Sequence, residues 1–571
     1  MLAACGGGGG GGGGTTTPPP GPPPGPGAAS SYYLSGASGV DRGQGYSLTG
    51  IDPASGGTVT IPSSNLYSAN LATIAEWIVT NGTASGAGTR YRVWTGSDGN
   101  IYSSDLGVVS GSTAPTTAQL STYAAGSICL GTSPTALNDL ANPSNSAIVF
   151  RDASAGCGTP ADRFVTVSLS AGSTTAPPAP SINEPVAVVR DATGAITKVL
   201  FLIHTSPAAV GYASSFTATP TVLGPITGNG LNFANGDFTS LAVVPEADGS
   251  QVWLYRDFTQ IFAVNLTTLG APVAVFTAKD SDVIQLPVLV EGTTVYVAMT
   301  DSTNIVGTTP GGAPLYTCQI VRIATAAPLT TASGTIALQE NIASGLTLVG
   351  IVGSNIVYFD NNVVTTVTNS VATYSGTVTL EAIPKTSTGL TGPATTIATA
   401  TQPNSYFDTT SAPVALGSGL YYQIDTVGAG PGSGIGYQAW YYGGGQPVSI
   451  GSNGSILLGG VSASSVSTAN PAAPPYATAI LALLPLGGGL PSSSIAEYDG
   501  SGNAGAVFGA IGSSNNNSTY SGLALSEAPL QAGMPALVIV SGQQQNGNSA
   551  KDLVQFTPGK AGSLIQVTKN L

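Results

Sequence analysis

The stretch at 242–266, AVVPEADGSQVWLYRDFTQIFAVNL, limits what this chain can become more than any other part of it. An apolar run meets a Pro-Glu-Ala-Asp-Gly-Ser turn, then an aromatic-rich run, an Arg-Asp-Phe-Thr turn and a third apolar run. Asp248-Gly249 suits the positive φ of a tight hairpin turn, and the flanking residues are β-branched or aromatic. Three antiparallel strands in about 25 residues bury too little apolar surface to fold alone. The unit must therefore stack on others like it.

Weaker copies recur along the chain. Each has a small-residue turn, an alternating apolar strand and a polar closing residue. The closing positions are Asp105, Asp152, Thr205, Asp257, Asp301, Asp360 and Asp425, with less regular copies near 476–485 and 536–542. Neighbouring closing positions lie 44 to 65 residues apart. Loose periods of about 40 to 60 residues, each with several strands, point to propeller blades. The strand–(P)DG–strand–turn–strand arrangement resembles YVTN-type and quinoprotein-like β-propeller repeats, although the Trp-Asp dipeptide of WD-type blades is absent. The resemblance implies an all-β propeller of about seven or eight blades over residues 31–571. Tandem β-sandwiches or a β-solenoid are the alternative, because short strands with regular turns suit both. No long amphipathic helix appears, which disfavours an α/β enzyme fold.

Composition narrows the function classes. Charged residues make up 7% of the 571, against roughly 25% in an average soluble protein. Gly, Ala, Ser and Thr fill the gap, a β-rich composition typical of exported surface proteins. The net charge is −13, all eight Arg lie between Arg42 and Arg322, and the six Lys are scattered. No basic stripe exists to neutralise phosphates, so nucleic acid is not an expected partner. No apolar run approaches the 18 or so residues that span a bilayer. The longest, YATAILALLPL, reads as a core strand.

The N-terminus suggests a location. Leu2-Ala3-Ala4-Cys5 resembles the bacterial lipobox, which implies that Cys5 is the lipid attachment site and that the preceding residues are the remnant of a signal peptide. Gly rather than Asp after the cysteine implies the outer membrane or cell surface. Residues 6–30 join a poly-Gly coil to a stiffer Pro-rich spacer, a tether between the anchor and a folded domain. The membrane, reached through this lipid, is one expected partner. A protein or glycan partner of unknown identity is the other.

Little catalytic chemistry is visible. The single histidine, His204, ends an apolar strand and reads as structural. There is no nucleophile elbow, P-loop or dinucleotide fingerprint, and no cofactor is implied. Glu76, Glu184, Glu246, Glu291, Glu340, Glu381, Glu497 and Glu527 offer carboxylates for glycoside chemistry, but linear sequence cannot show which two face each other. The recurrent strand-end Asp residues read as turn caps. The Arg151-Asp152, Arg190-Asp191 and Arg256-Asp257 echoes read as turn geometry with neighbouring ion pairs; a ring of arginines holding an anion is the sharper alternative. Asp499-Gly-Ser-Gly-Asn503 alternates oxygen ligands with glycine in the manner of a weak calcium loop. In an oxidising compartment Cys129 and Cys157 are the expected disulfide, leaving Cys318 as a buried thiol. No ligand-binding or catalytic residue is singled out. The sequence therefore predicts a surface-anchored binding or scaffolding propeller, with a carboxylate-dependent extracellular lyase or glycosidase and a structural adhesin as alternatives.

Overall fold

The computed structural model describes strands from Ser31 onward, nearly the whole chain between 181 and 457, and shorter parts beyond. Cys5, the tether at 6–30, and Cys129 and Cys157 fall outside the described residues. Thirty-nine strands and no helix occur among the described residues. They form ten antiparallel sheets in chain order, here numbered 1 (31–60), 2 (78–121), 3 (135–168), 4 (183–225), 5 (238–277), 6 (282–342), 7 (345–402), 8 (405–450), 9 (456–512) and 10 (519–568). Eight of the ten have four or more strands, and sheets 1 and 3 have three.

From sheet 4 onward the innermost strand of each sheet lies against that of the next. Asn183–Arg190 touches Phe238–Pro245, which touches Asp282–Glu291, which touches Gly345–Val352. The series continues through Val414–Leu416, Ile456–Val461 and Thr519–Glu527. That last strand and Ala536–Gln543 lie against Ser31–Ser35, so the first sheet meets the last. The fold is a β-propeller. A row of separate sandwiches would leave the ends apart.

Sheet 5 contains the stretch that organised the sequence reading, and its strands are Phe238–Pro245, Gln251–Asp257, Gln260–Asn265 and Val273–Thr277. Gly249 takes φ 83° at the first turn, and Asp248 Oδ1 accepts the Ser250 N–H at 2.9 Å. Asp257 pairs with Gln260 at the end of the second ladder. The central run is continuously apolar because neighbouring blades cover both faces. Trp253 and Tyr255 pack toward Leu200, Leu202 and Val210 of sheet 4. Val252 and Leu254 pack toward Val295, Val297 and Val321 of sheet 6. Each such side chain contributes about 1.5–3 kcal/mol through burial, so the seams between blades are the core.

One expectation needs correction. Asp257, Asp301 and Asp425 are buried, and Asp301, Asp360 and Asp425 do not close their strands. Strand Thr294–Thr308 runs seven residues beyond Asp301, and Asn355–Thr368 runs eight beyond Asp360. Turn capping by Asp does occur, but elsewhere: Asp191 Oδ1 accepts the N–H groups of Thr193 and Ala195 at 2.8 and 3.1 Å.

Candidate functional site

The long strands make two ribbons that project from the same end of adjacent blades. In sheet 7, Gly345 of the inner strand pairs with Asn361, and Gly376 is paired on its outer side by Gln402. Residues 362–368 and 371–375 therefore continue as a two-stranded ribbon, in unbroken register from Asn362↔Thr377 to Thr368↔Val371. In sheet 6, Asp282 pairs with Asp301 and Tyr316 with Ile342, so residues 302–308 and 314–315 project likewise. A lone ribbon is marginally stable; here two stand side by side. Their tips leave Ile305, Val306, Val367 and Tyr374 exposed.

A cleft of about 510 Å³ lies between them. Thr308, Thr309 and Leu315 come from the sheet 6 ribbon and Asn341 from the outer strand of that sheet; Asn362, Val364, Ser375, Gly376 and Thr377 form the opposite wall. No lining residue carries a charge. Gly376 has φ 122°, and a Cβ there would lie 2.1 Å from the Asn362 carbonyl oxygen. Only glycine allows the two strands of that wall to approach so closely.

Beneath the cleft the same face of the sheet 7 hairpin turns acidic. Side chains alternate along a strand, so Val364, Asn362, Asp360 and Tyr358 share a face, opposite Ser375, Thr377, Thr379 and Glu381. Asn362 Nδ2 donates to Asp360 Oδ1 at 2.6 Å, and Asn362 Oδ1 accepts the Ala343 N–H at 3.1 Å. Further down, the hydroxyl oxygen of the fully buried Tyr358 lies 3.0 Å from Glu381 Oε2 and 3.3 Å from Glu340 Oε1. Glu340 reaches it from sheet 6, where it pairs with Cys318. Burial, and then the charge of Glu381, push the Glu340 carboxyl above the usual glutamate range. Burial, followed by the charges of Glu340 and Glu381, pushes Asp360 up to about 6.

The other candidates are placed as follows. His204 Nε2 lies 2.8 Å from Glu184 Oε2, and its ring packs on Phe164, a structural position between sheets. Glu291 pairs with Lys385 at 2.6 Å. Glu497 accepts the N–H groups of Ala506 and Gly559 at 3.1 and 3.0 Å, joining the last two sheets. Burial raises Glu246, while Glu76 and the side chain of Glu527 fall outside the described residues. Arg190 is lowered to about 10 by burial, partly offset by Asp139, and Asp191 caps its turn. Asp499 Oδ1 accepts the N–H groups of Ser501 and Asn503 at 2.8 and 3.0 Å, so the suspected calcium loop is a self-satisfied turn. Among the described residues no group of three or more His, Cys, Asp or Glu is arranged to hold a metal. Cys318 is a buried free thiol, as expected.

Sequence reading thus named Glu340 and Glu381 without pairing them, and missed the cleft. A signal was present: the two longest spacings between closing positions, 59 and 65 residues, both follow Asp301. The first of them carries the sheet 6 ribbon and the second the sheet 7 ribbon.

No family model and no curated protein matches this chain. Solved structures give weak likenesses. A puromycin-hydrolysing peptidase of Mycobacterium tuberculosis is 11% identical, over 68% of this chain and 54% of that one, with a TM-score of 0.29. The apo prolyl oligopeptidase B of Galerina marginata is 8% identical over 75% and 55%, at 0.30. The Dos1 propeller is 10% identical over 68% and 85%, also at 0.30. The chain spans about half the length of the two peptidases. These likenesses bring no site residue with them.

Proposed function

We propose that this protein is a lipid-anchored protein of the outer membrane or cell surface whose propeller is a binding module, and that its ligand is a neutral oligosaccharide held in the cleft between the two ribbons. The observation that carries the reading is the character of the walls. Thr308, Asn341, Ser375 and Thr377 bring hydroxyl and amide groups, Leu315 and Val364 bring aliphatic surface, and nothing brings charge. Such a site matches the hydroxyls and C–H faces of an uncharged sugar, and it does not compensate a phosphate or an ammonium group. Anchoring rests on Leu2-Ala3-Ala4-Cys5 and the tether behind it. The enzyme alternative finds less support, because Glu340 and Glu381 converge on the buried Tyr358 hydroxyl instead of facing the cleft.

Binding of the full chain to an array of neutral and acidic oligosaccharides tests the ligand class. We expect neutral glycans to be retained, and the Asn341→Ala, Ser375→Ala double variant to bind about tenfold or more weakly through lost hydrogen bonds. Selective retention of acidic glycans, or unchanged binding by the variant, overturns the assignment. Labelled palmitate should enter the protein and be lost on Cys5→Ser.

A further inference from the structure

The seam below the cleft holds an arrangement whose hydrogens do not balance if every carboxyl is ionised. A phenol has one hydrogen to donate. Tyr358 stands between two carboxyl oxygens, and the shorter contact, at 3.0 Å to Glu381, takes that hydrogen. The 3.3 Å contact to Glu340 then sets a phenol lone pair against a carboxyl oxygen, unless Glu340 brings a proton of its own. The other Glu340 oxygen, Oε2, is buried and accepts no hydrogen bond. Glu340 as a whole is half-buried, so a full negative charge on it would be poorly solvated and would stand against Glu381 across the phenol.

We propose that Glu340, Tyr358 and Glu381 share one carboxyl proton as a latch between blades 6 and 7, and that losing this proton at higher pH loosens the ribbons and the cleft they form. This rests on the cleft being the binding site. Glu340 donates to Tyr358, and Tyr358 donates to Glu381. Removing the proton leaves two carboxylates on one phenol, one on each blade, so their repulsion acts across the seam. Asp360 stands next on the same face and holds Asn362 in the cleft wall at 2.6 Å, so the disturbance is transmitted upward by one side-chain pair.

The groups facing this point are few. The sheet 6 strands bring Tyr296, Tyr316, Cys318 and Glu340; Asn355–Thr368 brings Tyr358 and Asp360, and Val371–Pro384 brings Glu381. The inner strand Gly345–Val352, GLTLVGIV, and the outer strand Thr395–Gln402, TTIATATQ, bring no titratable side chain. The cations of these two sheets are engaged elsewhere: Arg322 donates to the Ser387 carbonyl at 2.9 Å, and Lys385 pairs with Glu291. Among the described residues, no cation is paired with Glu340 or Glu381.

The test needs no ligand, so it can fail independently of the cleft reading. Infrared difference spectra of the full chain across rising pH should show a protonated-carboxyl band that persists above the ordinary glutamate range and vanishes in Glu340→Gln. Amide hydrogen exchange at 301–316 and 361–378, corrected for intrinsic rate, should lose protection by up to about tenfold per pH unit in the wild type. Glu340→Gln keeps the donor and removes the titration, and should flatten that profile. If this variant does not fold, Glu381→Gln reads the latch from its other end and should also flatten it. Absence of the band, or an unchanged profile in the folded variant, overturns the latch.

Discussion

Two seams of this propeller, two blades apart, are built from opposite materials. Between sheets 4 and 5, Trp253 and Tyr255 lie among Leu200, Leu202, Val210 and Leu266, and the indole N–H is satisfied by Ser240 Oγ at 3.0 Å. Between sheets 6 and 7, Tyr296, Ile320 and Leu346 make the same kind of core, but its upper end is given to Tyr358, Glu340, Glu381 and Asp360. The first seam is filled to stabilise. The second gives up apolar area where two blades grow ribbons and open a cleft. A shared architecture thus tolerates a polar end at one seam while apolar clusters fill the adjoining ones.

The largest expected effect lies in the apolar seam. Trp253→Ala removes a fully buried indole and should destabilise the protein by about 3–5 kcal/mol, read as a lower midpoint in denaturant. A loss below 1 kcal/mol would mean that the seams are not the core. At the polar seam, Gly376→Ala forces a side chain onto the Asn362 carbonyl at a positive φ and should cost about 1–3 kcal/mol. Unlike the Trp variant, it should raise amide exchange selectively at 361–378. Uniform loss of protection would erase the distinction between blade core and ribbon.

The smallest effect is also the most diagnostic. Burial pushes both Asp360 and Asp425 up to about 6, against an ordinary aspartate near 4. A folded pKa raised above the unfolded one gives stability that is fully present below the unfolded value and is lost as pH rises through the folded one. Thermal midpoints should therefore fall as pH increases from about 4 to 6 and level off above. Asp191 and Asp248 are lowered by hydrogen bonds within their turns, so their contribution disappears only at more acid pH. Asp425→Asn should weaken the slope without touching the ribbons; the matching change at Asp360 should weaken it and alter ribbon exchange as well. Identical behaviour of the two variants would show that the seam at Tyr358 has no special link to the cleft.

What was readable in the sequence was what is decided locally. Asp248-Gly249 sets a turn through its own backbone, and VWLY between two turns is a strand whatever surrounds it. The paired seam is different in kind. Glu340 and Glu381 stand in different blades and meet only because sheet 7 packs on sheet 6, and no spacing rule encodes that contact. The ribbon lay between these cases. From Asn361 to Thr377 the chain reads NNVVTTVTNSVATYSGT, strand-forming residues broken only at Asn369-Ser370. Reading Asp360 as the end of a strand hid it, because a half-buried Asp beside Asn362 has the same local signature as one capping a turn.

The contact of Ser31–Ser35 with Thr519–Glu527 and Ala536–Gln543 has a consequence in time. Each sheet pairs strands close in sequence, so every blade can form as soon as its own 40 to 60 or so residues are available, and neighbours can dock in order. Closure is the exception, joining segments almost five hundred residues apart. A chain delivered N-terminus first would thus grow as an open arc, its first sheet waiting without its closing neighbour until the last arrives.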